Sequence, residues 1–174
     1  MRLPITILFC AAALFAGENT GRRAPGFALP DSQLNFHDLA DYRGKIVLID
    51  FMQTDCEHCA TFAPILNQIQ QKYAGKVVIL AVVNSSHDNG PKVAAYIAGH
   101  QITYPVLFDA GQMEYSYVRK PKVDNPCLFL IDGNGTIRND WSYGPFAADI
   151  FEGKGLFTEI DRVLNANFSA APKK

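Results

Sequence analysis

The sequence predicts a single α/β domain with a central mixed β-sheet flanked by helices, an N-terminal hairpin and a β/α insertion. One observation is a near-continuous apolar run over residues 45–51, which suits a strand buried on both faces of a sheet. A second such run, residues 77–83, follows a helical pattern, which makes a βαβ unit with a parallel strand pair. The turn sequence at 132–135 then predicts an antiparallel pair.

Length and composition are those of one globular domain. The chain has 174 residues, of which 48% are hydrophobic and 19% are charged, so it can bury a core and is unlike a disordered chain. The formal net charge is −1, and no basic run occurs beyond Lys173 and Lys174. We therefore expect no nucleic-acid partner.

The two ends of the chain differ from the middle. An apolar run over residues 3–16 is too short to span a bilayer comfortably and ends near small residues, so residues 1–17 are predicted to be a signal peptide. An uncleaved anchor formed by residues 3–16 is the alternative. Residues 18–25 are predicted to be a flexible leader, 26–168 the folded domain and 169–174 a disordered tail. Export would place the domain in the periplasm or another extracytoplasmic, oxidising compartment.

The first elements are short. Residues 27–29 and 35–36 flank a turn-like stretch and are predicted to pair as a hairpin, and residues 39–44 form a helical turn ended by Gly44. After the first buried strand, residues 57–73 carry apolar side chains at spacings of three and four. They are predicted to form an amphipathic helix, kinked or split at Pro64.

The second half continues the alternation of helices and strands. Residues 91–100 are predicted to be helical, 104–108 a short strand and 112–118 a weak helix. Residues 127–131 are predicted to be a strand and 136–142 its antiparallel partner. A Gly-rich connection then leads to a final helix, marked by apolar positions between 156 and 164.

Cys56 and Cys59 lie directly after the first buried strand, at the start of the amphipathic helix. A helix N-terminus presents unpaired N–H groups and a partial positive charge, so the Cys56 thiol should ionise below the ordinary cysteine pKa of about 8.5. Cys59 is close enough to close a disulfide with it. The pattern predicts a redox-active dithiol, with Cys56 as the nucleophile that forms a mixed disulfide and Cys59 as the residue that resolves it.

Two other interpretations of the pair stay open. A structural disulfide that closes so short a loop restrains little chain entropy. A zinc site would need a second ligand pair, but Cys10 and Cys127 are single and the histidines are scattered.

The pattern resembles a thioredoxin fold, and is most similar to the exported TlpA/ResA-type thioredoxins within the redoxin (AhpC/TSA-like) grouping. The resemblance covers residues 24–164. Its motifs are Arg43-Gly-Lys-Ile-Val-Leu-Ile-Asp-Phe51 before Cys56-x-x-Cys59, then Ala63-Pro-Ile-Leu66, and Asn125-Pro126 before the strand that ends at Asp132-Gly-Asn-Gly135. Residues 84–118 fit the extra strand and helix of the TlpA branch.

The resemblance implies two further site residues. Asp50 corresponds to the acid that accepts a proton from the second cysteine, although a strand-end aspartate that reaches solvent is the alternative. Pro126 corresponds to a cis-proline that faces the dithiol and leaves neighbouring backbone groups free to pair with an extended substrate; an ordinary trans proline is the alternative.

His58 lies between the two cysteines. A cationic imidazole there would stabilise the Cys56 thiolate and make the disulfide more oxidising, whereas Asp55 and Glu57 act in the opposite direction. An exposed His58 without a role is the alternative. The sequence therefore leaves the direction of electron flow open.

The remaining cysteine and histidines are given structural interpretations. Cys127 follows Pro126, so the fold would bring it near Cys56 as a third thiol, or it is a small buried residue of a core strand. His37, His87 and His100 are predicted to lie on the surface or in loops.

Departures from the family bear on substrate choice and redox tuning. Asp55 stands where the family has a tryptophan, Met52 replaces an aromatic residue, and Phe62 stands where the ResA branch carries an acid.

Three functions compete. The leading hypothesis is a monomeric thiol–disulfide oxidoreductase without a cofactor, which exchanges disulfides with exported protein thiols and is recycled by a membrane electron donor or oxidant. A peroxiredoxin-like thiol peroxidase would need a threonine three residues before the reactive cysteine, but Thr54 is two residues before Cys56. A non-catalytic copper carrier would use the soft thiolates.

Overall fold

The structure, a computed structural model, describes residues 17–120 and 124–169. The predicted signal peptide and tail lie outside this part of the chain, except for residues 17 and 169. The strands are β1 (Ala28–Pro30), β2 (Phe36–Asp38), β3 (Ile46–Phe51), β4 (Val77–Asn84), β5 (Val106–Asp109), β6 (Cys127–Ile131) and β7 (Ile137–Ser142). The helices are α1 (Glu57–Lys72), α2 (Gly90–His100), α3 (Gln112–Tyr117), α4 (Ala148–Phe151) and α5 (Lys154–Ser169).

The central sheet has the strand order β5-β4-β3-β6-β7. β3 pairs parallel with β4, and β4 pairs parallel with β5. β6 runs antiparallel to both β3 and β7. Because β3 has a paired strand on each side and layers on both faces, all of its residues are buried. This mixed sheet with flanking helices confirms the predicted thioredoxin fold.

Successive side chains of β3 point to opposite faces of the sheet and enter two hydrophobic clusters. Ile46 and Leu48 belong to the first cluster, which holds the buried faces of α1, α2, α4 and α5. Val47 and Ile49 belong to the second, which is covered by α3 and by parts of the N-terminal segment. Which face a residue of β3 or β6 occupies therefore decides whether it can approach the start of α1.

The predicted N-terminal hairpin is confirmed, and Asp31 fixes its turn. The Asp31 carboxylate accepts hydrogen bonds from the backbone N–H groups of Gln33 and Asn35, at 2.8 and 3.0 Å. It also lies 3.1 Å from Nε2 of His37, whose Nδ1 is 2.6 Å from the hydroxyl of Tyr42. The hairpin is therefore joined by side chains to the 3-10 turn Leu39–Tyr42, which confirms the predicted helical turn.

Residues 18–25, expected to form a flexible leader, lie against β7. The Asn19 N–H donates to the Asp140 carboxylate at 2.9 Å, and the Gly21 N–H donates to the Ile137 carbonyl at 2.8 Å. Further along, the Ala24 N–H donates to the Gly135 carbonyl at 2.9 Å. These partners are more than a hundred residues away in the chain, so the sequence pattern could not reveal the attachment.

Helix α1 continues through Pro64 as one element and is not split there. A proline removes one backbone N–H, but Phe62, Ala63 and Leu66 on either side are buried against the sheet and hold the helix in place. The Gly-rich connection after β7 contains the 3-10 turn Pro145–Ala147 and helix α4, which the sequence did not predict. None of the helices in residues 17–120 and 124–169 combines the length and the apolar character that a membrane span requires.

Candidate active site

Four strand ends meet at the edge of the sheet where α1 begins. Since β3 and β4 are parallel, the loops that follow them leave at the same edge, and antiparallel β6 begins there beside the end of β7. The register pairs Phe51 with both Val82 and Cys127, and pairs Cys127 with Ser142. The site is therefore assembled from four loops that are far apart in the sequence.

Cys56 and Cys59 form a disulfide, with their Cα atoms 5.2 Å apart. Cys56 is the N-cap of α1, and the Cys59 N–H donates to Cys56 Sγ at 3.1 Å. Cys59 is buried, whereas Cys56 is only partly so. Cys56 is thus the more exposed sulfur of the pair, and the backbone N–H of Cys59 points at it.

The Asn125–Pro126 peptide bond is cis. The carbonyl oxygen of Asn125 lies 3.7 Å from Cys56 Sγ, and the Pro126 carbonyl accepts a hydrogen bond from the N–H of Tyr143 at 3.0 Å. The proline segment therefore lies directly beside the disulfide, with the residue before Pro126 presenting its backbone to Cys56.

Asp50 lies two and four residues after Leu48 and Ile46, so its side chain points to the same face of β3 as theirs, the face that α1 covers. It is 3% exposed, and its Oδ1 has no hydrogen-bond partner. Burial raises the pKa of this carboxyl to about 7. The alternative that Asp50 reaches solvent is therefore wrong, because the strand end is covered by the helix.

The imidazole of His58 stacks on the ring of Tyr143, with the ring centroids 3.9 Å apart. Tyr143 in turn contacts Phe151 of α4 at a centroid distance of 5.4 Å. A cavity of about 460 Å³ opens beside the stacked rings, lined by Thr61, Ile65, Pro145, Glu152 and their neighbours. No sequence pattern pointed to Tyr143, because its contact with His58 depends on where the end of β7 meets α1.

Cys127 is a free thiol that is 3% exposed and belongs to the second hydrophobic cluster. Its sulfur lies 3.7 Å from the Ser142 hydroxyl, and burial raises the pKa of the thiol to about 12. Cys59 belongs to the first cluster, and Cys56 packs against it. Cys127 is therefore near the dithiol along the backbone, but its side chain is on the opposite face of the sheet.

Two contacts join the loop before Cys56 to the loop after β4. The backbone N–H of Thr54 lies 3.4 Å from Oδ2 of Asp88, and its hydroxyl donates to the same buried carboxylate. Nε2 of His87 lies 3.1 Å from both carboxylate oxygens of Asp55. His87 was predicted to lie on the surface or in a loop, and it lies in the loop after β4. The one signal for its contact with Asp55 was its position just beyond the end of a strand parallel to β3.

Within residues 17–120 and 124–169, no group of three or more histidine, cysteine, aspartate or glutamate side chains could hold a metal ion. A thioredoxin fold with a Cys-x-x-Cys disulfide at the first turn of α1 defines a thioredoxin-like protein-disulfide oxidoreductase.

A sequence model of the AhpC/TSA family matches residues 20–140, and the chain belongs to that family. The thiol-disulfide oxidoreductase ResA of Geobacillus thermodenitrificans is 33% identical over 151 residues, which are 79% of this chain and 83% of the relative. The thioredoxin-like protein YneN of Bacillus subtilis is 29% identical over 124 residues, or 71% of each chain. These relatives confirm the resemblance to ResA-type proteins.

A solved structure agrees with the sequence relatives. The crystal structure of a candidate thiol:disulfide interchange protein DsbE from Chlorobium tepidum is 30% identical and superposes with a TM-score of 0.67. The match covers 79% of this chain and 96% of that one. The likeness therefore extends over nearly the whole domain.

Proposed function

We propose that the protein exchanges disulfides with exported protein substrates through a mixed disulfide at Cys56. The observation that carries the proposal is the asymmetry of the pair. Cys56 is the partly exposed N-cap of α1 and accepts the Cys59 N–H, whereas Cys59 is buried behind it. One sulfur can be reached by a substrate, and the other can be reached only by Cys56.

In the first step, the Cys56 thiolate attacks one sulfur of a substrate disulfide. The new Cys56–substrate bond replaces the substrate's S–S bond, and the second substrate sulfur leaves as a thiolate that takes a proton from water. The N–H of Cys59 and the N-terminus of α1 stabilise the attacking anion.

In the second step, Cys59 loses its proton and its thiolate attacks Cys56 Sγ. The Cys56–Cys59 bond replaces the Cys56–substrate bond, and the substrate sulfur leaves as a thiolate that takes a proton from water. Asp50 is the proposed proton acceptor, because it is buried on the α1 side of β3 and has a pKa of about 7. The reverse sequence of steps oxidises a substrate dithiol, so the same residues serve both directions.

Pro126 and His58 have supporting roles in this proposal. Pro126 carries no N–H, and the adjoining Asn125 backbone lies beside Cys56, so an extended substrate chain can pair there. His58, held against Tyr143, adds positive charge near the thiolate when it is protonated.

We place the protein outside the cytoplasm as a monomer, with protein thiols as substrates and a membrane donor or oxidant that recycles the dithiol. The apolar residues 3–16 support export, and relatives named as thiol-disulfide oxidoreductase and thiol:disulfide interchange protein support protein thiols as the substrates.

Trapping with cysteine variants tests the exchange mechanism. In cells, Cys59→Ser should accumulate mixed disulfides with substrate proteins, because the resolving thiol is missing. Cys56→Ser should accumulate none, and Cys127→Ala in either background should change nothing. If Cys59→Ser traps no protein while the wild-type protein consumes peroxide or binds Cu(I) stoichiometrically, the exchange proposal is wrong.

A further inference from the structure

The loop after β4 supplies a hydrogen-bond partner, His87, to the residue that immediately precedes Cys56. Nε2 of His87 is 3.1 Å from each carboxylate oxygen of Asp55, so the imidazole N–H bridges both oxygens. This contact joins residues 32 positions apart in the chain. It occurs because β3 and β4 are parallel neighbours whose following loops leave the sheet at one edge.

Further contacts hold His87 and its loop against the active-site loop. Lys92 of α2 donates from Nζ to the His87 carbonyl at 3.1 Å. Asp88, next to His87, is 1% exposed and accepts hydrogen bonds from both the backbone and the hydroxyl of Thr54. The imidazole is therefore placed by a buried neighbour on one side and a lysine on the other.

A carboxylate next to Cys56 opposes formation of the thiolate, since like charges repel. The charged groups around His87 are Asp55, Lys92 and Asp88. Asp88 is turned toward Thr54, so Asp55 is the carboxylate that His87 pairs with. The hydrogen bond from His87 keeps the pKa of Asp55 below its usual range, so Asp55 is charged and its charge is shared with the imidazole.

We infer that His87 is a positioning residue for the reactive thiol: by pairing with Asp55 it draws that negative charge away from Cys56 and favours the thiolate. The inference rests on the proposed exchange function and deepens it. It gives the residue that replaces the family's tryptophan a defined electrostatic partner. Because the His87 and Asp55 side chains are 41% and 63% exposed, solvent screens the effect, which we expect to be about two- to fivefold in the acidity of Cys56.

The test measures the pH dependence of Cys56 alkylation by iodoacetamide in the reduced full-length protein, with the Cys56 peptide quantified by mass spectrometry. His87→Ala should lower the acidity of Cys56 about two- to fivefold, and Asp55→Asn should raise it by a similar factor. In the Asp55→Asn background, His87→Ala should have no further effect. His100→Ala, at the far end of α2, is the matched control and should leave the curve unchanged.

The equilibrium with glutathione gives a second readout. His87→Ala should make the Cys56–Cys59 disulfide harder to reduce, again only when Asp55 is present, because a less stable thiolate favours the disulfide. If His87→Ala changes the melting temperature but neither the alkylation curve nor this equilibrium, His87 is merely structural and the inference is overturned. If the wild-type protein forms no Cys56–Cys59 disulfide at any glutathione ratio, the proposed function itself fails.

Discussion

The imidazole of His58 lies flat against the ring of Tyr143, with an interplanar angle of 17°. His58 belongs to the Cys-x-x-Cys turn, and Tyr143 follows the last strand of the sheet, so the stack ties the redox turn to the loop before α4. Aromatic pairs of this kind contribute about 0.5–1.5 kcal/mol beyond burial. The contact limits the positions that the His58 ring can take beside Cys56.

Tyr143→Ala is expected to release His58, whereas Tyr143→Phe should keep the stack. The alanine variant should shift the glutathione equilibrium of the Cys56–Cys59 disulfide in the direction of His58→Ala, but less far. In a His58→Ala background the two Tyr143 variants should have the same equilibrium. If Tyr143→Ala and Tyr143→Phe have the same glutathione equilibrium while His58 is present, the prediction is wrong.

His58→Ala should make the disulfide less oxidising, because the cationic form of the imidazole no longer stabilises the Cys56 thiolate. We expect the equilibrium constant with glutathione to move by up to about tenfold, with more protein oxidised at a given glutathione ratio. The measurement is the oxidised fraction by thiol alkylation, with His100→Ala as the control. A shift toward the reduced form would assign His58 the opposite role.

Asp50→Asn is expected to stabilise the oxidised protein at alkaline pH. The pKa of Asp50 is about 7 in the folded protein, above its value of about 3.9 in an unfolded chain. The folded protein therefore holds a proton that the unfolded chain loses, and stability falls as the pH rises from about 4 to about 7, by about 1.4 kcal/mol per pH unit. Above pH 7 the buried carboxylate of Asp50 is charged, and the stabilisation that its protonated form gave the folded protein is fully lost.

The measurement for Asp50→Asn is urea unfolding of both proteins at several pH values. The free energy of unfolding of the variant should rise relative to that of the wild-type protein as the pH goes from 4 to 7. Above pH 7 the difference between the two proteins should be constant. A difference that does not vary with pH would mean that Asp50 titrates normally.

The rate at which Cys59 resolves the Cys56 mixed disulfide should depend on the carboxyl of Asp50. If Asp50 accepts the Cys59 proton, the wild-type rate rises as the pH passes through about 7, and Asp50→Asn loses this rise. We expect the variant to be slower by about 100-fold at pH 8, the low end of general-base effects. Rapid-quench kinetics measures the rate at which the substrate is released from a Cys56 mixed disulfide. If Asp50→Asn leaves the pH profile of this rate unchanged, Asp50 is not the base.

Cys127→Ala should leave disulfide exchange unchanged and lower the free energy of unfolding by about 1 kcal/mol, because a buried sulfur is removed from a packed strand. In the native protein Cys127 should resist iodoacetamide at pH 8, since the pKa of its thiol is about 12, and it should react once urea unfolds the chain. Rapid labelling of Cys127 in the folded protein would contradict its burial.

The sequence predicted most of the fold because its signals are local. The apolar runs that became β3 and β4 and the periodic pattern of α1 each lie within one stretch of chain. The position of Cys56 at a helix start is local as well, so the redox interpretation needed no tertiary information. Helix α4 was missed because its four residues carry no full period of the helical pattern.

Strand register decided what the local patterns could not. Cys127 and Pro126 are neighbours in the chain, yet alternation along β6 turns the Cys127 side chain to the face away from Cys59. A register shift of one residue would reverse the faces, and nothing in the sequence of one strand fixes its pairing with another. The opposite faces of Cys59 and Cys127 are thus a property of the assembled sheet.

By itself, the sequence predicted a cysteine pair at a helix start from residues within a few positions of one another. Its resemblance to a family over residues 24–164 implied the class of fold and the acid at Asp50. Only the tertiary structure decided that Asp50 is buried, that Tyr143 holds His58 and that His87 pairs with Asp55. These three relationships depend on the order of strands in the sheet, which brings four distant loops to one edge. Charge and solvent access at Cys56 follow from that order.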